Sequence, residues 1–291
     1  MAVAGLAFTA CSTAATPAPS SAPSTTGRPI VCAITSAVPR TASGTSADAV
    51  REIVRTLIAS SENSSLDWRK QAAYIEYNVE GDDSENRGYT AGIVGFTSRN
   101  GDMLKLVDAY TQQSPGNALA AFRPALRAAN GSSSAAGLGD AFVTAWKESG
   151  DDPVFLAVQT RLADAWYLDP ATSRAQQDGL GALGQFIYAD AAVMHGLGTD
   201  AASFGRIRRN ALEAADPPSA GGDETTYLGA FLDARASAMG SEEGHSNTSR
   251  VDDQQRRFLN EGNLSLALPL RWSLYGDQYA LVSRGQACPT R

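Results

Sequence analysis

Histidine and cysteine are scarce, with two His and three Cys in 291 residues. His195 and His245 stand alone and no C-x-x-C pair occurs, so a Cys/His zinc site has too few ligands. No metal is expected. Cations are also outnumbered: 24 Lys and Arg face 31 Asp and Glu, for a formal charge of -7. Phosphate recognition needs clustered cations, so no nucleic-acid partner is expected. No apolar run reaches the roughly 20 residues of a spanning helix. The string "GLGALG" lies inside a helical pattern rather than after a strand, so it is not a phosphate loop, and no cofactor is expected.

What is present begins with a targeting signal. "MAVAGLAFTAC" is short, apolar and rich in small residues, and the Ser/Thr/Ala/Pro string after it cannot form a core. Residues 1-27 read as the tail of a signal or lipoprotein segment plus a linker, and 28-291 as one folded domain. The Ala10-Cys11 step resembles a lipoprotein cleavage site. Acylation of Cys11, with anchoring to a membrane surface, and plain secretion both stay open. Either route leads to an oxidising compartment, where Cys32 and Cys288 are expected to pair and clip the two ends together.

The folded region is mainly helical in pattern. Val50, Ile53, Val54, Leu57 and Ile58 recur at i, i+3, i+4, i+7 and i+8, the stripe of an amphipathic helix that ends near Glu62. "LDWRKQAAYIEYN" reads as a second helix, and "GYTAGIVGFTS" as a short hairpin with close backbone approaches. "GDMLKLVDAYTQQ" returns to helix, and "NALAAFRPALRAANGS" gives another, interrupted at Pro124. "SRAQQDGLGALGQFIYADAAVMHG" is apolar on nearly every face, which places a helix mid-domain and makes Asp190 costly unless paired. Two charge-rich helices follow. Between the second helix and the hairpin, Glu80, Asp82, Asp83 and Glu85 crowd together. Such acids are either a solvated loop or half of an acid/base pair whose other half is Glu62.

The strings "SSENSSLDW", "YIE", "RGYTAGIVGF", "GDML", "PGN", "DGLGALGQF", "VMHG", "SFGRIR", "GGDETTYL", "FLDAR", "TSRVD", "QRRFL" and "GNL" occur in one order. Together they resemble glycoside hydrolase family 46, the bacterial chitosanases, over nearly all of residues 47–279. The resemblance implies a mainly α (α+β), lysozyme-like fold, with two helical lobes, a small β-sheet in the first and a substrate cleft between them. It implies endo-hydrolysis of β-1,4 links in chitosan or glucosamine oligosaccharides, with inversion, by a secreted monomer. Inversion needs a proton donor and an opposed carboxylate about 6.5–9.5 Å away to activate water.

On that resemblance Glu62 matches the general acid. Glu85 holds the position where the family carries its aspartate base, Asn86 replaces a glycine, and the segment before it is lengthened. Asp83 and Asp82 are therefore alternative bases. Thr90 matches the threonine that positions the water, a role its hydroxyl suits as both donor and acceptor. Asp102 matches a substrate-contacting aspartate. Arg87 is placed with it at the substrate site, where it would orient the loop through carboxylate contacts; a surface arginine is the alternative. Asp190, Arg235, Glu242 and Arg250 match a buried charge network, with a structural role expected for Arg235 and Glu242. Trp68, Trp146 and Trp272 match core tryptophans. The departure at Glu85 motivates an alternative: a catalytically weak or inactive chitosan-binding surface protein.

Overall fold

The apolar stripe at Val50, Ile53, Val54, Leu57 and Ile58 is buried along α1 (Ala47–Asn63), which ends at Ser64 in a left-handed conformation. The computed structural model describes residues 29–36, 47–78, 87–241 and 247–289. Cys11, Asp82, Asp83, Glu85, Glu242 and His245 lie outside the described residues.

The expected second helix is corrected to a single 3-10 turn, Lys70–Ala73, followed by strand β2 (Ile75–Tyr77). Tyr74 is extended, and the aromatic and β-branched residues after it find a strand partner, so pairing outweighs helix propensity. That partner is β3 (Tyr89–Ala91), antiparallel, with Glu76 opposite Thr90. β4 (Phe96–Thr97) completes a sheet in the order β2-β3-β4. Between β3 and β4 the backbone passes against buried Gln159. A Cβ on Gly92 (φ 76) would stand 2.4 Å from that side chain, so only glycine fits.

Helices α2 (Asp102–Gln113), α3 (Arg123–Ala129) and α4 (Asp140–Ser149) pack around this sheet. A 3-10 segment, Ala118–Phe122, runs directly into α3, so the helical stretch changes character beside Pro124, which sits in the first turn of α3 where a missing N–H costs no intrahelical bond. α5 (Pro153–Ala163) starts at an Asp152 cap and continues through a π-helical segment, Asp164–Leu168, into α6 (Asp169–Gln177). The long apolar stretch after it divides in two: residues 178–181 separate α6 from α7 (Ala182–His195). The Asp-Gly-Leu-Gly sequence supplies the break, with Gly179 at positive φ.

α7 is buried along most of its length and forms the centre of the second lobe. Around it stand α8 (Phe204–Ala214), α9 (Glu224–Gly240), a second π-helical segment, Arg250–Gln255, and α10 (Arg256–Asn260). A hairpin of β5 (Leu270–Leu274) and β6 (Asp277–Ser283) closes the chain. The N-terminal strand β1 (Val31–Thr35) runs parallel to β6, giving a second sheet in the order β1-β6-β5. A Cys32–Cys288 disulfide, Cα–Cα 5.9 Å, fastens the two ends.

The buried apolar residues fall into two clusters. One spans Ala59 to Ala163 and holds the first sheet with α2–α5; the other joins the α1 stripe to Leu168 and everything beyond it. Tryptophans 68, 146 and 272 are all core residues. The end of α1 with the segment after it, from Leu66 to Trp68, and the 153–177 helical run pass from one cluster to the other. The groove between the two cores opens where α1 ends.

Candidate active site

The last turn of α1 is pinned from behind. Ser60 Oγ donates to the Leu57 carbonyl at 2.6 Å and accepts from Gln254 Nε2 and Trp272 Nε1, each at 3.2 Å. Ser61 Oγ donates to Gln254 Oε1 at 3.1 Å. With both serines buried, the next residue, Glu62, is held at the lip of the cleft with its side chain 27% exposed.

Beneath Glu62 runs a chain of charges. Arg250 Nη2 donates to Glu62 Oε1 at 2.5 Å and stands 3.4 Å from Asp190 Oδ1. Asp190 Oδ2 accepts from Arg235 Nη1 at 2.7 Å and from Gln255 Nε2 at 2.8 Å, while the Gln255 carbonyl accepts from Arg235 at 3.1 Å. Burial alone would drive Asp190 toward its neutral form. Arg250 and Arg235 outweigh it and hold its pKa below the ordinary value. Burial likewise opposes the charge on Arg250, but Asp190 and Glu62 raise its pKa above the usual. Three of the four network residues expected from the sequence therefore meet here, and Arg250 touches Glu62 directly.

Across the cleft, Thr90 Oγ1 is buried and has no hydrogen-bond partner among the described residues. The N–H of Thr97 and that of Met103 each donate to Asp102 Oδ1 at 2.8 Å, which locks the first turn of α2 to the sheet. Burial raises the Asp102 pKa despite those bonds. Arg87 lines the same cleft, at the point where the acidic segment rejoins the described chain.

Glu62, Arg87, Thr90, Asp102 and Arg250 thus share one cleft of about 650 Å3. Tyr167, Asn247 and Tyr275 also line it, and sequence reasoning missed them. Tyr167 and Arg250 both sit on π-helical segments, a local irregularity common at functional sites that has no simple sequence signature. A detectable signal existed for the hairpin: Leu270, Trp272 and Leu274 alternate with Arg271 and Ser273, the period of a strand.

The sequence profile of glycosyl hydrolase family 46 matches residues 56–270, well over half the chain and all of the cleft-lining residues named above except Tyr275. The chain belongs to glycosyl hydrolase family 46. Among curated family 46 relatives, the chitosanase of Streptomyces sp. (strain N174) is 54% identical over 233 residues, covering 80% of this chain and 82% of its own. The chitosanase of Bacillus subtilis (strain 168) is 34% identical over 220 residues, covering 71% and 77%. In three dimensions the chain is similar to chitosanase OU01 solved with substrate, at TM-score 0.76 and 50% identity, covering 81% of this chain and 98% of that one. It is also similar to the Gynuella sunshinyii chitosanase solved with chitotetraose, at TM-score 0.71 and 30% identity, covering 79% and 96%.

Proposed function

We propose that this chain is a secreted chitosanase that cleaves internal β-1,4 links between glucosamine units with inversion. The observation that carries the reading is one arrangement: Glu62, backed by Arg250, Asp190 and Arg235, looks into a cleft whose other wall is lined by Thr90, whose buried hydroxyl has no partner among the described residues. The relatives named for chitosanase activity, and the neighbour solved with chitotetraose, agree with it.

In this mechanism Glu62 is the general acid. Arg250 engages Oε1, and Oε2 has no partner among the described residues, so Oε2 is the oxygen that delivers the proton to the leaving glycosidic oxygen. Asp190 shares the guanidinium, so the arginine charge does not fall on Glu62 alone. On the opposite face, a carboxylate of the acidic segment takes a proton from water as it attacks the anomeric carbon. Glu85 is the first choice, with Asp83 and Asp82 behind it. Thr90 holds that water. Two carboxyls about 6.5–9.5 Å apart leave room for it, whereas the roughly 5 Å of a retaining pair would not. Asp102 and the surrounding acids favour the ammonium of glucosamine over an N-acetylated sugar.

The test is release of reducing ends from soluble chitosan by the intact chain, compared with a fully acetylated oligomer. Turnover of the first alone is expected. Tight binding of chitosan oligomers without any shortening would instead select the alternative of an inactive binder, motivated by Glu85 standing where aspartate is usual.

A further inference from the structure

Leu274 and Asp277 are register partners in the C-terminal hairpin, which leaves Tyr275 and Gly276 as a two-residue loop. Both have positive φ, 51 for Tyr275 and 86 for Gly276. Positive φ at both central positions is the type I′ pattern, whose first position favours Asn, Asp or Gly because larger side chains crowd the backbone there. Tyrosine occupies it against that preference.

Burial in the core does not compensate for this. Tyr275 is 43% exposed and lines the cleft with Glu62 and Arg250. Its backbone N–H donates to Ser249 Oγ at 3.2 Å, so the strained turn is tied to the segment that carries Arg250. Burial raises the pKa of the hydroxyl, with Arg250 opposing and Glu62 reinforcing the shift, so the phenol lies within the field of the catalytic pair. A backbone outlier beside a candidate site is a sound starting point for a functional inference.

We infer that Tyr275 is a substrate-contacting residue whose ring lies against the C–H face of the sugar bound beside Glu62, and that the turn is held in this conformation to present it. The inference rests on the proposed chitosanase reading. Aromatic faces pack well against apolar surface while a polar edge stays wet, which suits a pyranose ring with hydroxyls at its rim.

The experiment measures calorimetric affinity for a glucosamine hexamer in the Glu62→Gln background, so that turnover does not interfere. Tyr275→Asn installs a residue the turn prefers. It should keep or raise the melting temperature while weakening binding about tenfold. Tyr275→Phe, which keeps the ring, should recover most of that affinity. A Kd within about twofold of the parent for the Asn variant overturns the inference alone, and so does a Phe variant as weak as Asn. Failure of the parent to bind the hexamer overturns the chitosanase reading and this inference together.

Discussion

On the Glu62 wall of the cleft the polar groups are charges and amides buried against one another, whereas the Thr90 wall is positioned by backbone. Arg235 and Asp190 are fully buried, Gln255 bridges them, and Arg250 carries the chain up to the acid. Thr90 sits mid-strand in a small sheet, Asp102 is held by two amide groups, and the acidic segment leaves from β2 and returns to β3. A buried ion network has one low-energy geometry and is costly to break, so Glu62 is fixed by the same forces that stabilise the second lobe. A connection between two short strands can take up substitutions and added residues at little entropic cost, because loop closure cost grows slowly with length.

The comparison predicts a graded response. Glu62→Gln should lower kcat by about 10³-fold or more, the scale of lost general-acid catalysis, while calorimetry shows the melting temperature nearly unchanged. Loss of the base comes next. Of Glu85→Gln, Asp83→Asn and Asp82→Asn assayed side by side, Glu85→Gln should lower kcat by roughly 10²-fold or more. The other two should keep most activity, and a larger loss in either would move the base to that residue.

Asp190→Asn tests stability rather than chemistry. It leaves buried Arg235 without a carboxylate and Arg250 with Glu62 alone, and should cost about 3–5 kcal/mol in chemical denaturation. The Asp190 pKa is lowered in the folded state, so its contribution is full above the unfolded carboxylate value of about 4 and disappears as pH falls through the lower folded value. The variant should therefore lose part of the parent's acid sensitivity. Asp102→Asn should have the smallest effect, raising KM about tenfold with little change in kcat, since the amide oxygen can keep the bonds from Thr97 and Met103. Because burial raises the Asp102 pKa, the parent's KM should begin to climb on acidification sooner than an ordinary carboxylate would allow.

Much of this contrast was legible in the chain before any coordinates. The α1 stripe fixed the position of Glu62 because a 3.6-residue period leaves little freedom about which face is buried and where the helix ends. Asp190 was marked as a residue in need of partners, and the helix around it made that demand physical. Short strands were harder. Ile75–Tyr77 looked helical because its preference is decided by a partner more than ten residues away, and β1 and β6 pair across nearly the whole chain. The support for Glu62 from Ser60, Ser61 and Gln254 was invisible for the same reason: it depends on which helix faces which, and serine and glutamine carry no pattern that reveals it.

The most direct test follows the anomeric configuration of the first product by proton NMR during chitosan cleavage by the parent chain. Water placed between Glu62 and an acid on the far wall predicts that the α-anomer appears first and mutarotates to the equilibrium mixture. A β-anomer appearing first would contradict the account, since it requires a carboxylate that attacks the sugar itself.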